Sequence, residues 1–306
     1  MENNVPTNKL EEAIVSTIVF FDLFDYPLTT YELWQYVGCP ASLAEVAAAL
    51  TQPLKGVEEK QGLYFLSGRS EIILERQARY HHSAQKFALA RRAIKLFRLV
   101  PFVEMIAVSN IIGSHNLRSG SDIDLFVIAA PHRLWLTRFC CAGLAKLLGW
   151  RPTPQVKRNR ICLSFYASAG ALDLSGLKLG ADDIYFNYWL AGLVPLYDRH
   201  QIYPELIRHN PWLKECLPNW HQSDLSPRLS LRPRRNWLNI FNNTLDRWEK
   251  RSWSWQLKIM PAALKSLINV DTRVRADEEI IKLYLVDRRA EFLAKWRERT
   301  AQLLNK

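Results

Sequence analysis

Two apolar stretches, 103–112 and 123–130, flank a short polar segment; the first runs into Gly113-Ser114 and the second opens with Asp122-Ile123-Asp124. Short apolar stretches rich in β-branched residues and bounded by glycine, serine and aspartate read as strands. Alternate residues of a strand share a face, so Asp122 and Asp124 project to one side with Ile123 buried behind them. Two carboxylates on one face repel unless a cation lies between them, and Mg²⁺ or Mn²⁺ suits such oxygen donors. Magnesium binds through one or two carboxylates plus substrate phosphates, which implies a nucleotide. Gly113 permits close backbone approach. A helix starting at Gly113-Ser114 would offer free N–H groups and the Ser114 hydroxyl to a phosphate. Arg118 and Ser121 lie on the same connecting loop and face the same anion, with Arg118 as a phosphate clamp. His115 reads as a loop residue.

The rest of the chain divides around this segment. Residues 9–24 carry apolar positions at helical spacing, and Asp25-Tyr26-Pro27 stops that helix. Thr29 or Thr30 caps a second helix, and Ser42 with Glu45 forms a capping-box start for a third. Residues 56–66 read as a hairpin turning at Lys60-Gln61-Gly62. Three helices and a hairpin give a winged-helix-like module over 1–68. Residues 69–100 are basic connecting helices, ended by Pro101. Residues 135–148 read as a helix and 161–167 as a third strand, so 101–200 forms a small mixed sheet with helices, an α+β core. Residues 183–194, 201–216, 236–260 and 276–303 read as helices, making 201–306 a helical C-terminal region.

Charge is uneven over the 306 residues, whose net charge is +11. Residues 1–52 hold one Lys/Arg against seven Asp/Glu, residues 53–100 ten against four, and residues 201–306 twenty against twelve. A basic surplus favours polyanions such as nucleotides, nucleic acid or a membrane surface. Five cysteines without a C-x-x-C read as reduced thiols rather than a zinc site. No secretion signal or transmembrane segment is expected, and the expected location is cytoplasmic.

The segment Ile112-Gly113-Ser114 with Asp122-Ile123-Asp124-Leu125 resembles the DNA polymerase β-type nucleotidyltransferase superfamily. Further stretches, such as Phe21-Asp22-Leu23-Phe24-Asp25-Tyr26-Pro27 and Val194-Pro195-Leu196-Tyr197, look like a bacterial group of nucleotidyltransferase-domain proteins. The resemblance implies a metal-dependent enzyme that moves a nucleoside monophosphate from a nucleoside triphosphate (NTP) to an acceptor hydroxyl, releasing pyrophosphate. It assigns the triphosphate to Gly113 and Ser114 and the metals to Asp122 and Asp124. The family also has a third carboxylate on a later strand. The strand at 161–167 contains no acid, and Asp173 in Leu172-Asp173-Leu174 is the nearest match, as third metal ligand and catalytic carboxylate.

Two alternatives stand beside the enzyme. An absent third carboxylate would make the chain a catalytically inactive nucleotide-binding scaffold or sensor. The winged-helix-like module would make it a DNA-binding regulator. Its third helix, 42–52, has no Lys or Arg, which argues against sequence-specific DNA binding. The acceptor stays open between a small molecule, RNA and protein. The Trp-rich basic stretch at 236–260 reads as buried against the domain, with a membrane-surface helix as the alternative.

Overall fold

Capping fixes the first elements. In the computed structural model, which describes residues 7–222, 230–233 and 242–304, helix α1 (Thr7–Asp22) is followed by α2 (Thr30–Tyr36) and α3 (Leu43–Ala49). Thr29 caps α2 and Ser42 caps α3, each with a reciprocal bond from the glutamate three residues on, Glu32 and Glu45. Strands β1 (Val57–Lys60) and β2 (Leu63–Leu66) pair antiparallel. Gln61 (φ 58°) and Gly62 (φ 74°) form their turn in the left-handed region that a two-residue hairpin requires. Residues 72–97 form one helix, α4 (Ile72–Phe97), of 26 residues.

A mixed six-stranded sheet follows, made of β3 (Val103–Val108), β4 (Ile123–Ala129), β5 (Ile161–Ser168), β6 (Val194–Asp198), β7 (Val274–Ala276) and β8 (Ile280–Leu283), in the order β6-β3-β4-β5-β8-β7. Only the β4–β5 pair is parallel. Helix α5 (Leu134–Leu147) is the crossover between those two strands, which a parallel pair needs. Helices α6 (Ile184–Ala191), α7 (Ile202–Arg208), α8 (Trp212–Cys216), α9 (Asn242–Ile259), α10 (Ala262–Lys265) and α11 (Arg289–Leu304) complete the fold.

Two stretches depart from the sequence reading. Residues 194–198 form strand β6, although Pro195 argues against a strand; β6 is the sheet edge, where proline costs least. The stretch 276–303 is not one helix. Its first part gives β8, because Ile280 and Ile281 find an open edge on β5. The region 201–306 is therefore not purely helical, and the sheet takes strands from both sides of residue 200. The stretch 236–260 is helical from Asn242; residues 236–241 lie outside the described residues.

Each face of the sheet carries its own core. The front face packs Phe126, Ile128 and Phe165 against Ile14, Phe21 and Leu33 of the N-terminal helices, so these helices share a core with the sheet. The back face packs Val127, Tyr166 and Ile281 against Phe97 and Trp135. Side chains of this size stabilise by about 2–3 kcal/mol each on full burial. Helix α11 returns to α1: Trp296 Nε1 donates to the Ser16 carbonyl at 2.9 Å, and Arg299 bonds Asp22 at 2.9 Å.

Candidate functional site

Strand pleat decides where the two acids point. Ile123 is fully buried in the back core, while Phe126 and Ile128 belong to the front. Asp122 and Asp124 therefore share the front face, as alternation requires. In the parallel register the partner of Asp124 is Cys162. Ligand atoms of Asp122, Asp124 and Cys162 all lie within 4.8 Å of one another. Burial, and then the charge of Asp122, push the Asp124 carboxyl up to about 6. Asn110 Nδ2 opposes this by donating to Asp124 at 3.1 Å, and the Tyr185 hydroxyl donates to Asn110 Oδ1 at 2.6 Å. Burial and then Asp124 also push the Cys162 thiol up, so it sits there neutral.

The raised carboxyl marks a place short of positive charge. Two carboxylates at that place fit a hard divalent cation with oxygen ligands. The thiol is a softer donor and fits a borderline ion better.

Asp173 does not join the pair. It follows the far end of β5, and the parallel register puts the ends of that strand about 20 Å apart. Its carboxylate instead accepts from the Ser175 N–H at 2.8 Å and shapes the 3₁₀ turn at Ser175–Leu177. The sequence reading missed Cys162 because it looked for a carboxylate.

The loop 109–122 is held from both sides. No helix starts at Gly113-Ser114; residues 113–115 form a bend and turn, with Gly113 at φ +87°. A Cβ on Gly113 would lie 2.6 Å from the Tyr26 ring. The Tyr26 hydroxyl donates to Glu32 at 2.5 Å and lies 3.0 Å from the Ser114 carbonyl. Helix α4 grips the other side. Ser83 donates to the His115 carbonyl and accepts from the Leu117 N–H. Arg79 bonds Asn116, and Lys86 donates to the Ser121 carbonyl and to Asn159. These three residues fall on one face of α4 by helical spacing.

The acids open onto a cavity of about 630 Å³. Arg118 and Ser121 line it with Asp122 and Asp124, whereas Gly113 and Ser114 do not. Ser121 Oγ donates to the Arg118 carbonyl at 3.0 Å, and Arg118 reaches Asp25 at 3.2 Å. The opposite wall comes from the C-terminal elements: Lys282, Arg288, Arg289, Phe292 and Arg299. Every cation of that wall has a carboxylate partner, such as Asp183 and Asp287 for Arg289 and Asp22 for Arg299. Burial and then Arg289 push the Lys282 amine down to about 8. Aromatic rings of α6, including Tyr185 and Trp189, floor the cavity. Reading 276–303 as a helix hid Lys282, which enters the site only because β8 pairs with β5.

No helix among the described residues is long and apolar enough to cross a membrane. All five cysteines are free thiols. No family model, no curated protein and no solved structure matches the chain.

Proposed function

We propose that the chain is a metal-dependent nucleotidyltransferase. The observation that carries the reading is the Asp122/Asp124 pair on one strand face, opening onto a nucleotide-sized cavity with cationic and aromatic walls. A donor NTP lies with its phosphates toward the pair and its base among the rings of α6. The acceptor oxygen bonds the α-phosphorus as its proton passes to water, the bond from that phosphorus to the bridging oxygen breaks, and pyrophosphate leaves. Asp122 and Asp124 would hold Mg²⁺ or Mn²⁺, which would supply positive charge against that developing on the phosphate oxygens. Asn110 and Tyr185 orient Asp124. Arg118 meets the phosphates once Asp25 releases it. The acceptor is a hydroxyl-bearing small molecule, RNA or protein.

A second reading has its own observation. With a neutral thiol where a third carboxylate would stand, general-base help worth about 10²–10⁴ in rate is missing. A nucleotide-binding scaffold or sensor would then remain. The two readings separate in one experiment. Melting is followed with each ribonucleoside triphosphate, with and without Mn²⁺, and label transfer from the α-phosphate is then measured. A ligand at about a hundredfold above its Kd stabilises by about 2.7 kcal/mol. A metal-dependent shift with transfer supports the enzyme; a shift without transfer to any acceptor supports the scaffold. Asp124→Asn should abolish transfer in a folded protein, and retained transfer overturns the assignment.

A further inference from the structure

Helix α9 is pinned to α5 by one stripe only. Ser252 and Gln256 bond the Trp135 carbonyl at 3.0 and 2.8 Å, and Trp253 stacks on Trp135 at 5.6 Å. The two acids of the helix also have partners at the start of α5. Glu249 accepts the Trp135 and Leu136 N–H groups at the start of α5, and Asp246 pairs with Arg133. The outward side is left with two kinds of side chain. Trp248, Trp255 and Ile259 form an apolar stripe, 56%, 50% and 58% exposed. Phe139 of α5, 45% exposed, extends the stripe edge-to-face against Trp255 at 5.5 Å. Beside it run Arg247, Arg251 and Lys258, all exposed. Among the described residues none of these three cations has an ion pair; Arg251 only lies over the Trp248 ring at 5.5 Å. This contrasts with the cavity wall, where every cation has a carboxylate.

We propose that this face docks on an anionic lipid surface. A helix with indoles and aliphatics on one stripe, bordered by unpaired cations, lies in a bilayer interface with its apolar side in the headgroup boundary. The indoles suit that boundary because one edge is apolar and one carries an N–H donor. The border charge is of one sign, so a second copy brought face to face would oppose cations to cations. Ile259 and Phe139 offer nothing to a phosphate backbone, whereas acyl chains accommodate both. Attachment of this kind is peripheral and needs no spanning helix. The proposal does not depend on the nucleotidyltransferase reading.

The test is flotation of the full chain with phosphatidylcholine vesicles, with and without phosphatidylglycerol. The expected result is flotation only with the anionic vesicles, weakened by salt. Trp255→Ser with Ile259→Ser should abolish it. Arg251→Gln with Lys258→Gln should weaken it about thirtyfold. Unchanged melting of both variants establishes that they are folded, since all four positions are exposed. The proposal is overturned by no flotation, by flotation unaffected by either variant, or by loss in the variants of a dimer seen by light scattering. Binding of RNA or DNA lost in the variants, without vesicle binding, overturns it as well.

Discussion

Asp124 concentrates the tension in this site. Its carboxyl titrates near 6 in the fold against about 3.9 in an unfolded chain. Below pH 4 it is protonated in both states and costs nothing. As pH rises from 4 through 6 the unfolded chain ionises first, so stability falls, and above 6 the full penalty stays. Asp124→Asn should therefore stabilise the protein by about 2 kcal/mol at pH 7.5 and not at pH 4, measured by denaturant unfolding at both values. A bound divalent cation should remove the same penalty, so Mn²⁺ should raise the wild-type melting temperature more at pH 7.5 than at pH 5 and leave the Asn variant unmoved. Gly113 makes a second prediction at this scale. With φ at +87° and the Tyr26 ring 2.6 Å from any Cβ, Gly113→Ala should cost about 1–3 kcal/mol. An unchanged melting curve would show that Tyr26 can move aside. The shared face of the two acids was legible in the sequence because strand alternation alone defines it, whereas Gly113, read as a phosphate contact, lies off the cavity. What Gly113 packs against was not legible, since Tyr26 is 87 residues away.

At the scale of elements, the basic helix α4 does something its charge did not announce. Residues 69–100 read only as basic connecting helices, yet Arg79 and Lys86 within them are buried and bonded to the loop of the acids. Burial lowers the Lys86 pKa and Asp122 counters it. Lys86→Met should leave Asn159 Oδ1 without its donor and the Ser121 carbonyl with only the Asn159 N–H, costing about 1–3 kcal/mol. It should also shrink the Mn²⁺-dependent melting shift, because the Asp122 loop loses its anchor. A shift equal to wild type would separate α4 from the site. The elements that sequence located well are those with local signals: the capping box at Ser42, a threonine cap on α2, the hairpin turn, and the apolar strands β4 and β5. The strands it missed, β6, β7 and β8, form only because a sheet edge was there to receive them. Neither a proline-containing edge strand nor a four-residue strand before a long helix has a signal of its own.

Across the whole molecule, the front core joins α1 to β8, and the cavity takes residues from Asp22 to Arg299. Such a core should unfold as one unit. Calorimetry should give one transition whose enthalpy equals the van't Hoff value, and two resolved transitions would contradict this reading of the core. A chain ending before Val274 should lose that transition and aggregate, because β5 would become a bare edge with Phe165 and Tyr166 uncovered.

The ion pair between Asp22 and Arg299 spans 277 positions of the chain. During synthesis the first helix leaves the ribosome with its apolar side bare, and at 5–20 residues per second its partner follows about 15–60 seconds later. The cavity, lined from Asp22 to Arg299, therefore cannot close until translation is nearly over. A stalled or prematurely ended chain carries Asp122 and Asp124 on their strand but lacks the wall that encloses them.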